Sequence, residues 1–450
     1  SNPTKDFRPL NRDEWMKKAR DVDYENAYTA SSGYLEINPN WSFTSTGMTE
    51  ALAQGIENGT DYDWWRNGTQ TGHLHTNTVN VSGGTQNISY FVSGGYTDQS
   101  GIVKNDDYKR TTLRTNFDVQ ITPWLKVGNN TFLAFSDYSG ESPTIGTLMR
   151  IPTVAACRDT EGNWITNPTG ANLLNPLMIC ESQDDEKRQQ INTTVYGLVS
   201  FPFLPGLTYR LNYNYVSTDT HHYNFNQYEA SFKGEAYKNS SSDKYWLLDN
   251  ILNYSRTFNR HSVNATLVYG ANRRNFENTK AEGQQYSNSA LGYNKLEQAV
   301  IQKISSSAWA ESNVYQMARL AYNYDGRYFL TATIRRDGFS GFAANHKFGY
   351  FPSFGLAWTI SNEPWMKNVT SLDNLKLRAS YGATGNQTLR YSSLAQVAIS
   401  DGYVYGDGGQ TAKGTYVSSM ANSDLSWEKT KELKLKQENY LILMRKLNQL

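Results

Sequence analysis

Two histidine pairs and one acidic run are the side chains most able to do chemistry in this sequence. They are His73 and His75, His221 and His222, and Asp184, Asp185 and Glu186. Histidine nitrogens bind zinc and carboxylate oxygens bind calcium, but neither set has further ligands at metal spacing, and the acidic run lacks the glycine-punctuated loop of a calcium site. We therefore interpret the histidines as solvated loop residues and the carboxylates as a solvated face. The sequence predicts no metal site and no cofactor.

The common catalytic signatures are also missing from the sequence. It contains no G-x-S-x-G nucleophile turn, no G-x-x-x-x-G-K-[ST] phosphate loop and no H-E-x-x-H zinc motif. We therefore expect that the protein is not an enzyme and has no catalytic residues.

Composition narrows the classes of partner. The chain has 43 basic and 42 acidic residues, a formal net charge of +1, so charge does not indicate nucleic acid or an anionic membrane surface. Aromatic residues are abundant, with 31 Tyr, 11 Trp and 18 Phe among 450 residues. Tyr and Trp combine an apolar body with a polar tip, which suits either a membrane interface or a sugar-binding surface. Both interpretations stay open at this stage.

The start of the chain predicts a helix and no membrane anchor. No window of eighteen uncharged apolar residues occurs, and SNPTKDFRPLNRDEW lacks the charged start and apolar core of a signal peptide. Asn11 followed by Glu14 is typical of a helix N-cap with its capping-box partner. We expect a short helix over residues 12 to 20, and the abrupt start suggests a mature segment or a fragment.

A two-residue period predicts strands through most of the chain. In LTYRLNYNY, residues 207 to 215, apolar or aromatic side chains alternate with polar ones, so Leu211 and Asn212 face opposite sides. Each run has roughly the nine to eleven residues that a tilted strand needs to cross a bilayer. We predict strands near 74–82, 87–97, 111–121, 124–135, 191–201, 207–217, 245–257, 262–272, 313–324, 328–337, 350–360 and 375–383, and a helix or frayed tail at the end of the chain, LKLKQENYLILMRKLNQL.

Short and long connectors alternate between these strands. GGTQ, TP, PFLPG, FNRH and YDG form tight turns, whereas the links 136–190, 218–244 and 273–312 are long. One short and one elaborate end is the asymmetry of outer-membrane barrels. Aromatic residues adjoin the short turns, either as an interfacial girdle or because aromatics favour strand ends and cores. These residues are Trp124, Phe201, Phe203, Phe258, Tyr324 and Tyr328.

Several long motifs occur in an order that resembles one protein family. They are HTNTVNVSGGTQNISYFVSGGYTDQSGIVKNDDYKR, ITPWLKVGNN, YFLTATIRRDGFSGF, FGYFPSFGLAWTIS, NLKLRASYGATGNQ and DLSWEKTKEL. Most of residues 60 to 433 resembles the barrel of the SusC/RagA class of TonB-linked outer-membrane transporters. The last motif, DLSWEKTKEL, resembles a later barrel strand of that class, which implies a thirteenth strand near 425–435. The resemblance implies an all-β fold with a large antiparallel transmembrane barrel of about 22 strands and an amino-terminal plug. It also implies a Gram-negative outer membrane, uptake of oligosaccharides or peptides, a SusD-like surface lipoprotein as lid and the TonB complex as energy source.

The chain departs from this family pattern at both ends. The plug and TonB box are expected before residue 1, and after Leu433 the pattern gives way to KLKQENYLILMRKLNQL. We expect a segment 1–73 linking an absent plug to the barrel, a partial barrel over 74–435 with about 12 to 13 of the family's strands, and an atypical tail 436–450. Such a chain looks truncated. We expect that it does not transport by itself, because an unclosed sheet leaves backbone groups unpaired in lipid.

Ligand contacts are expected from outer loops and from rings that face the barrel interior. Flat sugar faces suit aromatic platforms beside polar side chains, which makes Trp164, Tyr223 and Trp309 candidates for substrate binding. Packing of loops upon one another is the alternative role for these rings. At the end of one strand, Arg335, Arg336 and Asp337 could hold a loop or touch a ligand, and we expect mainly a local Arg336–Asp337 ion pair.

Two other classes of protein share much of this pattern. A soluble all-β carbohydrate-binding or glycan-degrading protein and a structural surface adhesin both fit the mean hydropathy of -0.64. Alternation of short and long connectors beside aromatic turns favours the importer over both.

We predict that Cys157 and Cys180 form a disulfide within the connector 136–190. Export would carry them through an oxidising compartment, and closing such a loop stabilises by roughly 3 kcal/mol. Alkylation of the unreduced, denatured protein should therefore label neither thiol, and two labelled thiols would refute the bond.

Overall fold

Thirteen strands form one antiparallel sheet in this computed structural model, which describes residues 9–366, 369, 372–387, 390–405 and 410–441. The sheet follows the order β1 to β12 and then β15, and β13 pairs with β14 in a separate hairpin. The strands are β1 His73–Gly84, β2 Ile88–Ser100, β3 Asp107–Thr122, β4 Leu125–Asp137, β5 Gln183–Ser200, β6 Leu207–Asn226, β7 Glu235–Phe258, β8 His261–Tyr286, β9 Ala299–Tyr324, β10 Tyr328–Phe339, β11 Phe348–Thr359, β12 Leu372–Asn386, β13 Gln396–Tyr405, β14 Gln410–Ser419 and β15 Glu428–Leu441. Each of the thirteen predicted strands is present in the sheet.

Helices are short and lie in the N-terminal segment and the connectors. They are α1 Arg12–Val22, α2 Tyr24–Ala27, α3 Glu50–Glu57, α4 Trp64–Gly68, α5 Ile145–Arg150 and α6 Glu229–Phe232. The predicted capping box is confirmed, because the Glu14 amide donates to Asn11 Oδ1 and the Asn11 amide donates to the Glu14 carboxylate, each over 2.9 Å. Among the described residues, no helix has the length and apolar character needed to span a membrane.

Register divides the side chains of the sheet between two faces. Large exposed apolar side chains share one face, which we call the apolar face; its members include Leu113, Phe117, Ile191, Val195, Leu211, Tyr213, Leu267, Tyr269, Leu320, Leu356, Tyr381 and Leu433. Charged and amide side chains share the other, the polar face, which includes Arg210, Asn212, Asp249, Arg335 and Asp337. Because successive residues of a strand point to opposite sides, the predicted two-residue period is what separates them.

The ends of the sheet also differ from each other. Turns 85–87, 123–124, 201–206, 259–260 and 325–327 lie at one end, which we call the short-turn end, together with the link 360–371. The opposite, long-connector end carries the links 138–182 and 387–427. Aromatic rings form a row at the short-turn end, where Tyr328 stacks between Tyr324 at 6.3 Å and Trp358 at 6.4 Å. The predicted aromatic residues beside the short turns are therefore present, and the two longest links lie at the opposite end of the sheet.

Two of the predicted long connectors are wrong. Most of 218–244 and 273–312 is strand, because β6 to β9 continue far beyond the predicted ends and leave only 227–234 and 287–298 as connectors. Polar residues predominate in the extensions, so the regular apolar alternation that marked the strands stops before the pairing does. A small cluster of Phe225, Ala236, Tyr286 and Ala299 packs where these extensions end.

The final part of the chain also contains more strand than predicted. The β13–β14 hairpin was not expected, and β15 pairs with β12 as far as Leu441, whereas a helix or frayed tail was predicted from Leu433 onward. Pairing with β12 supplies partners for the backbone of β15, and that tertiary contact outweighs the weak local pattern of LKLKQENYL. The predicted tail beyond residue 441 lies outside the described residues.

The N-terminal segment packs against the connector between β4 and β5. Its core is a buried cluster of Trp64, Leu148, Ile151, Ala155, Cys157 and Leu177. Trp64 Nε1 donates to the Pro152 carbonyl over 3.1 Å, which fixes α4 against this connector. Cys157 and Cys180 are free thiols in the structure, the first buried and the second half-buried. The disulfide between them remains a prediction, which the number of alkylated thiols in the unreduced protein will test.

We expect Arg at position 211 to be far more damaging than Arg at position 212. Leu211 lies on the apolar face, where Arg at a lipid-facing midplane position costs about 2 to 4 kcal/mol, whereas Asn212 lies on the polar face opposite Asp249. The measurement is the folded, heat-modifiable fraction of the complete protein carrying Leu211→Arg or Asn212→Arg. Equal losses in the two variants would contradict the assignment of the faces.

Candidate functional site

The polar face carries a cross-strand arrangement of an acid, a glycine and a tyrosine. Asp118 of β3, Gly128 of β4 and Tyr196 of β5 lie directly opposite one another in register. The Tyr196 ring crosses Gly128, where a Cβ would overlap it, and its hydroxyl donates to Asp118. Lys126 donates to the same carboxylate over 3.0 Å, and the Arg210 guanidinium lies 4.0 Å from the ring centroid. Hydrogen bonds, an ion pair and a cation–aromatic contact therefore connect strands β3 to β6 in this part of the polar face.

The same arrangement recurs four strands further along the sheet. Asp249 of β7, Gly270 of β8 and Tyr315 of β9 are again in register, and Tyr315 donates to Asp249 across the glycine. Here the Arg335 guanidinium lies 4.7 Å from the tyrosine ring. Both copies belong to one row, because Tyr196 pairs with Asn212 and Asn212 pairs with Asp249. The polar face therefore carries the same acid, glycine and tyrosine arrangement twice along one row.

The ion pair in the Arg335 to Asp337 stretch is not the predicted one. Arg335 Nε donates to Asp337 Oδ1 over 2.9 Å, whereas the Arg336 guanidinium lies on the other side of the strand, 3.8 Å from the Phe348 ring. All three residues lie within β10, where residues two apart share a face and adjacent residues do not. The predicted Arg336–Asp337 pair is therefore wrong.

The three candidate substrate-binding rings lie in different surroundings. Trp164 lies in the connector 138–182, packed against the buried cluster around Trp64, with the Arg158 guanidinium 3.5 Å from its ring. Arg158 also pairs with Glu181 at 3.6 Å. This ring packs one part of the connector on another and does not present an open platform.

Tyr223 lies near the long-connector end of β6, on the side of the sheet that carries the apolar face. Its hydroxyl is 3.2 Å from His221 Nδ1, and Lys238 Nζ is 4.9 Å from its ring centroid. Tyr293 approaches the same ring at 5.9 Å. Tyr223 is therefore separated by the sheet from Trp309, which lies on the opposite face.

Trp309 lies on the polar face of β9 within a group of aromatic and charged side chains. Phe276 stacks on it at 5.4 Å with an interplanar angle of 19°. Arg390, from the connector between β12 and β13, lies 3.4 Å from the ring centroid and donates to Glu311 over 3.0 Å. Of the three rings, Trp309 is the one with an aromatic, a basic and an acidic side chain around it, which are side-chain types that bind polar or charged ligands.

A histidine and two carboxylates meet on the polar face at the long-connector end. Ligand atoms of Glu141, Asp184 and His222 lie within 4.8 Å of one another, a donor set that a divalent cation accepts. These groups already bond to each other, since His222 Nε2 is 2.8 Å from Asp184, and Asn224 Nδ2 donates to Asp184 and to Glu141 over 2.9 and 3.0 Å. We interpret the cluster as a tether between the connector and the β5–β6 hairpin.

The acidic run and the histidines were predicted separately as solvated, and the hairpin brings them together. Residues equally distant from the tight turn 201–206 pair across it, so Asp184 faces Asn224 and Glu186 faces His222. The position of the short turn in the sequence was enough to predict that register. The prediction of solvated side chains is wrong for Asp184, whose side chain is 3% exposed.

Electrostatics at this tether follow from burial and from its hydrogen bonds. The hydrogen bond to Asp184 raises the pKa of His222. Burial alone would raise the pKa of Asp184, but hydrogen bonds from His222 and Asn224 lower it below its usual value. Burial and the Asp184 charge raise the pKa of Glu141. His222 lies beyond the roughly nine to eleven residues of β6 that a bilayer crossing requires.

We expect the tether to weaken as the pH rises above neutrality. A histidine whose pKa is raised on folding stabilises fully below its ordinary pKa and loses that contribution as pH rises through the raised value. The Gly140 amide, which donates to Asp184 over 3.0 Å, reports on the tether. Its hydrogen-exchange protection, corrected for intrinsic rate, should be greater at about pH 5 than at about pH 8.

The adjacent histidines provide a matched comparison. His222→Gln should reduce this pH dependence to the part that Glu141 contributes, whereas His221→Gln should preserve it, because His221 lies on the opposite side of β6 and contacts Ser240 and Tyr223. An unchanged pH dependence in His222→Gln would contradict the assignment.

Comparison with known proteins identifies relatives with the same architecture. The chain is 28% identical over 442 residues to TonB-dependent receptor P3 of Formosa agariphila, covering 90% of this chain and 43% of that protein. It is 27% identical over 390 residues to TonB-dependent receptor SusC of Bacteroides thetaiotaomicron, covering 78% of this chain and 38% of that protein. The chain therefore spans less than half the length of these relatives.

Solved structures and a family model agree with that result. The RagAB peptide transporter superposes with a TM-score of 0.76 at 21% identity, covering 98% of this chain and 51% of that chain, which shows a shared fold. The model of the TonB dependent receptor-like, beta-barrel family matches residues 158–435, more than half of the chain. The predicted fold and family are confirmed: the chain belongs to the TonB-dependent receptor β-barrel family.

Proposed function

We propose that this chain forms part of the wall of an outer-membrane transporter that takes up oligosaccharides or peptides in a Gram-negative bacterium. The division of the sheet into an apolar face and a polar face carries the proposal. An apolar band suits the lipid and a polar, hydrogen-bonded surface suits a water-filled interior. The similarity to SusC and to the RagAB structure supports uptake as the function, and the RagAB structure is described as a peptide transporter.

The partners of the complete protein belong to the same proposal. A SusD-like surface lipoprotein would cover the long-connector end, and the TonB complex would act through a plug. Residues 1–73 would link such a plug to the sheet, and 74–435 would form part of the barrel wall, which β15 continues to Leu441. A structural role for the segment 1–73 is supported by helix α4 and the residues just before it, which pack on the connector 138–182.

The transporter is favoured over the alternative classes. A soluble carbohydrate-binding or glycan-degrading protein would expose the apolar face to water, where large apolar patches are unfavourable. A surface adhesin would not need a polar network along the opposite face. The named relatives are receptors and transporters, so we propose no enzymatic activity.

The test uses the complete gene that encodes this chain. Its deletion in the source bacterium should abolish energy-dependent accumulation of a labelled oligosaccharide or peptide, and the wild-type gene should restore it. An uncoupler that collapses the inner-membrane gradient should block the restored uptake. Recovery of the full-length protein in the soluble fraction, or uptake unchanged by the deletion, would contradict the proposal.

Leu211→Arg and Asn212→Arg serve as a matched pair of complementing alleles. The first should fail to restore uptake because Arg lies on the apolar face, whereas the second should restore it. Comparing membrane-inserted protein with uptake in each strain separates a folding defect from a transport defect.

A further inference from the structure

The Trp309 ring is already occupied by a side chain of the same protein. Phe276 covers part of the ring and Arg390 lies 3.4 Å from its centroid. The same guanidinium bonds to Glu311, whose side chain is 16% exposed. An aromatic face beside a carboxylate is an arrangement that binds guanidinium groups. We name Phe276, Trp309 and Glu311 the Trp309 site.

Charge balance at this site depends on Arg390. Arg274 Nε donates to Asp243 over 2.9 Å, and the Arg274 guanidinium lies 5.4 Å from the Trp309 ring. Two carboxylates, Asp243 and Glu311, are thus balanced by two arginines, Arg274 and Arg390. Withdrawal of Arg390 would leave two carboxylates beside the single arginine Arg274, so a replacement cation is favoured over a neutral group.

The segment that delivers Arg390 is attached to the sheet and to its neighbouring connector by side-chain hydrogen bonds. We call residues 390–394 the strap. The Tyr391 hydroxyl bonds to the amide and to the carbonyl of Ala310, each at 3.0 Å, and Ser393 donates to the Gly341 carbonyl over 3.0 Å. A cavity of about 470 Å³ adjoins the strap, lined in part by Phe342, Tyr391 and Ser393. The strap therefore has neighbouring space into which it can move.

We propose that the Trp309 site binds the guanidinium of an arginine side chain in a peptide ligand, and that Arg390 occupies the site as a built-in substitute until the ligand displaces it. The inference rests on the proposed function only for the entry of peptides. Stacking on Trp309 and pairing with Glu311 recognise the cation, and the strap lowers the affinity for weak cations by competition.

Calorimetry on the complete, detergent-purified protein tests this inference without measuring uptake. The probes are N-acetyl-arginine amide and N-acetyl-citrulline amide, which share a shape but differ in charge. Arg390→Ala should bind the arginine compound roughly ten-fold more tightly than the wild type does, since a desolvated cation–aromatic contact has about that effect. Binding of the citrulline compound should not change.

Further variants establish the cause of any gain. Arg390→Ala combined with Glu311→Gln should lose the preference for arginine over citrulline. Arg336→Ala is the matched control, because Arg336 lies over Phe348 and donates to Gln316, a neutral partner. It should bind the arginine compound as the wild type does.

Each remaining outcome counts against the proposal. No gain in Arg390→Ala, an equal gain for citrulline, or a gain that survives Glu311→Gln would overturn it. If Arg390→Ala fails to fold, Arg390→Gln repeats the test with a long polar side chain kept and the competing charge removed, and no gain there would overturn it equally. Loss of uptake in the transport assay would not alter these binding results, so the two proposals fail separately.

Discussion

Continuous antiparallel register is the constraint on which the rest of this structure depends. Asp118, Tyr196, Asn212, Asp249 and Tyr315 lie in one row because each strand pairs with the next without a slip at that level. A slip of one residue in any strand would move its apolar side chains to the polar face. The two glycines opposite the tyrosines reinforce this register, since each ring fits only where its neighbour has no Cβ.

The same constraint explains which parts of the fold could be predicted from the sequence. Strands with one apolar face, such as Leu207 to Tyr215, show the alternation directly, whereas the last strand of the sheet was predicted from the family resemblance of DLSWEKTKEL. The extensions of β6 to β9 were missed because polar residues predominate there and interrupt the alternation, while backbone pairing continues. The β13–β14 hairpin was missed for a related reason, because Val397, Ile399 and Val417 remain exposed on a separate two-stranded sheet.

Residue identity was easier to predict than residue surroundings at the candidate site. Trp309 was selected from its type, but its partners Phe276, Arg390 and Glu311 come from two strands and a distant connector, and sequence spacing does not reveal such contacts. Arg335 and Asp337 show the reverse case, since the strand period alone would have identified their pairing. The Asp184–His222 contact was likewise available from the hairpin register, but both residues were interpreted as isolated.

Arginine stacked on an aromatic ring and bonded to an acceptor recurs throughout the described residues. Arg158 lies on Trp164, Arg210 on Tyr196, Arg335 on Tyr315 and Arg390 on Trp309. In each case the guanidinium also has a carboxylate or amide partner, so each of these arginines is held in place by a second protein group. Arg210 and Arg335 are fixed by groups of the sheet itself, whereas Arg390 comes from a connector. Of these four arginines, Arg390 is the one that reaches the polar face from a connector. The proposed exchange of its guanidinium for that of a ligand is therefore easiest at Trp309.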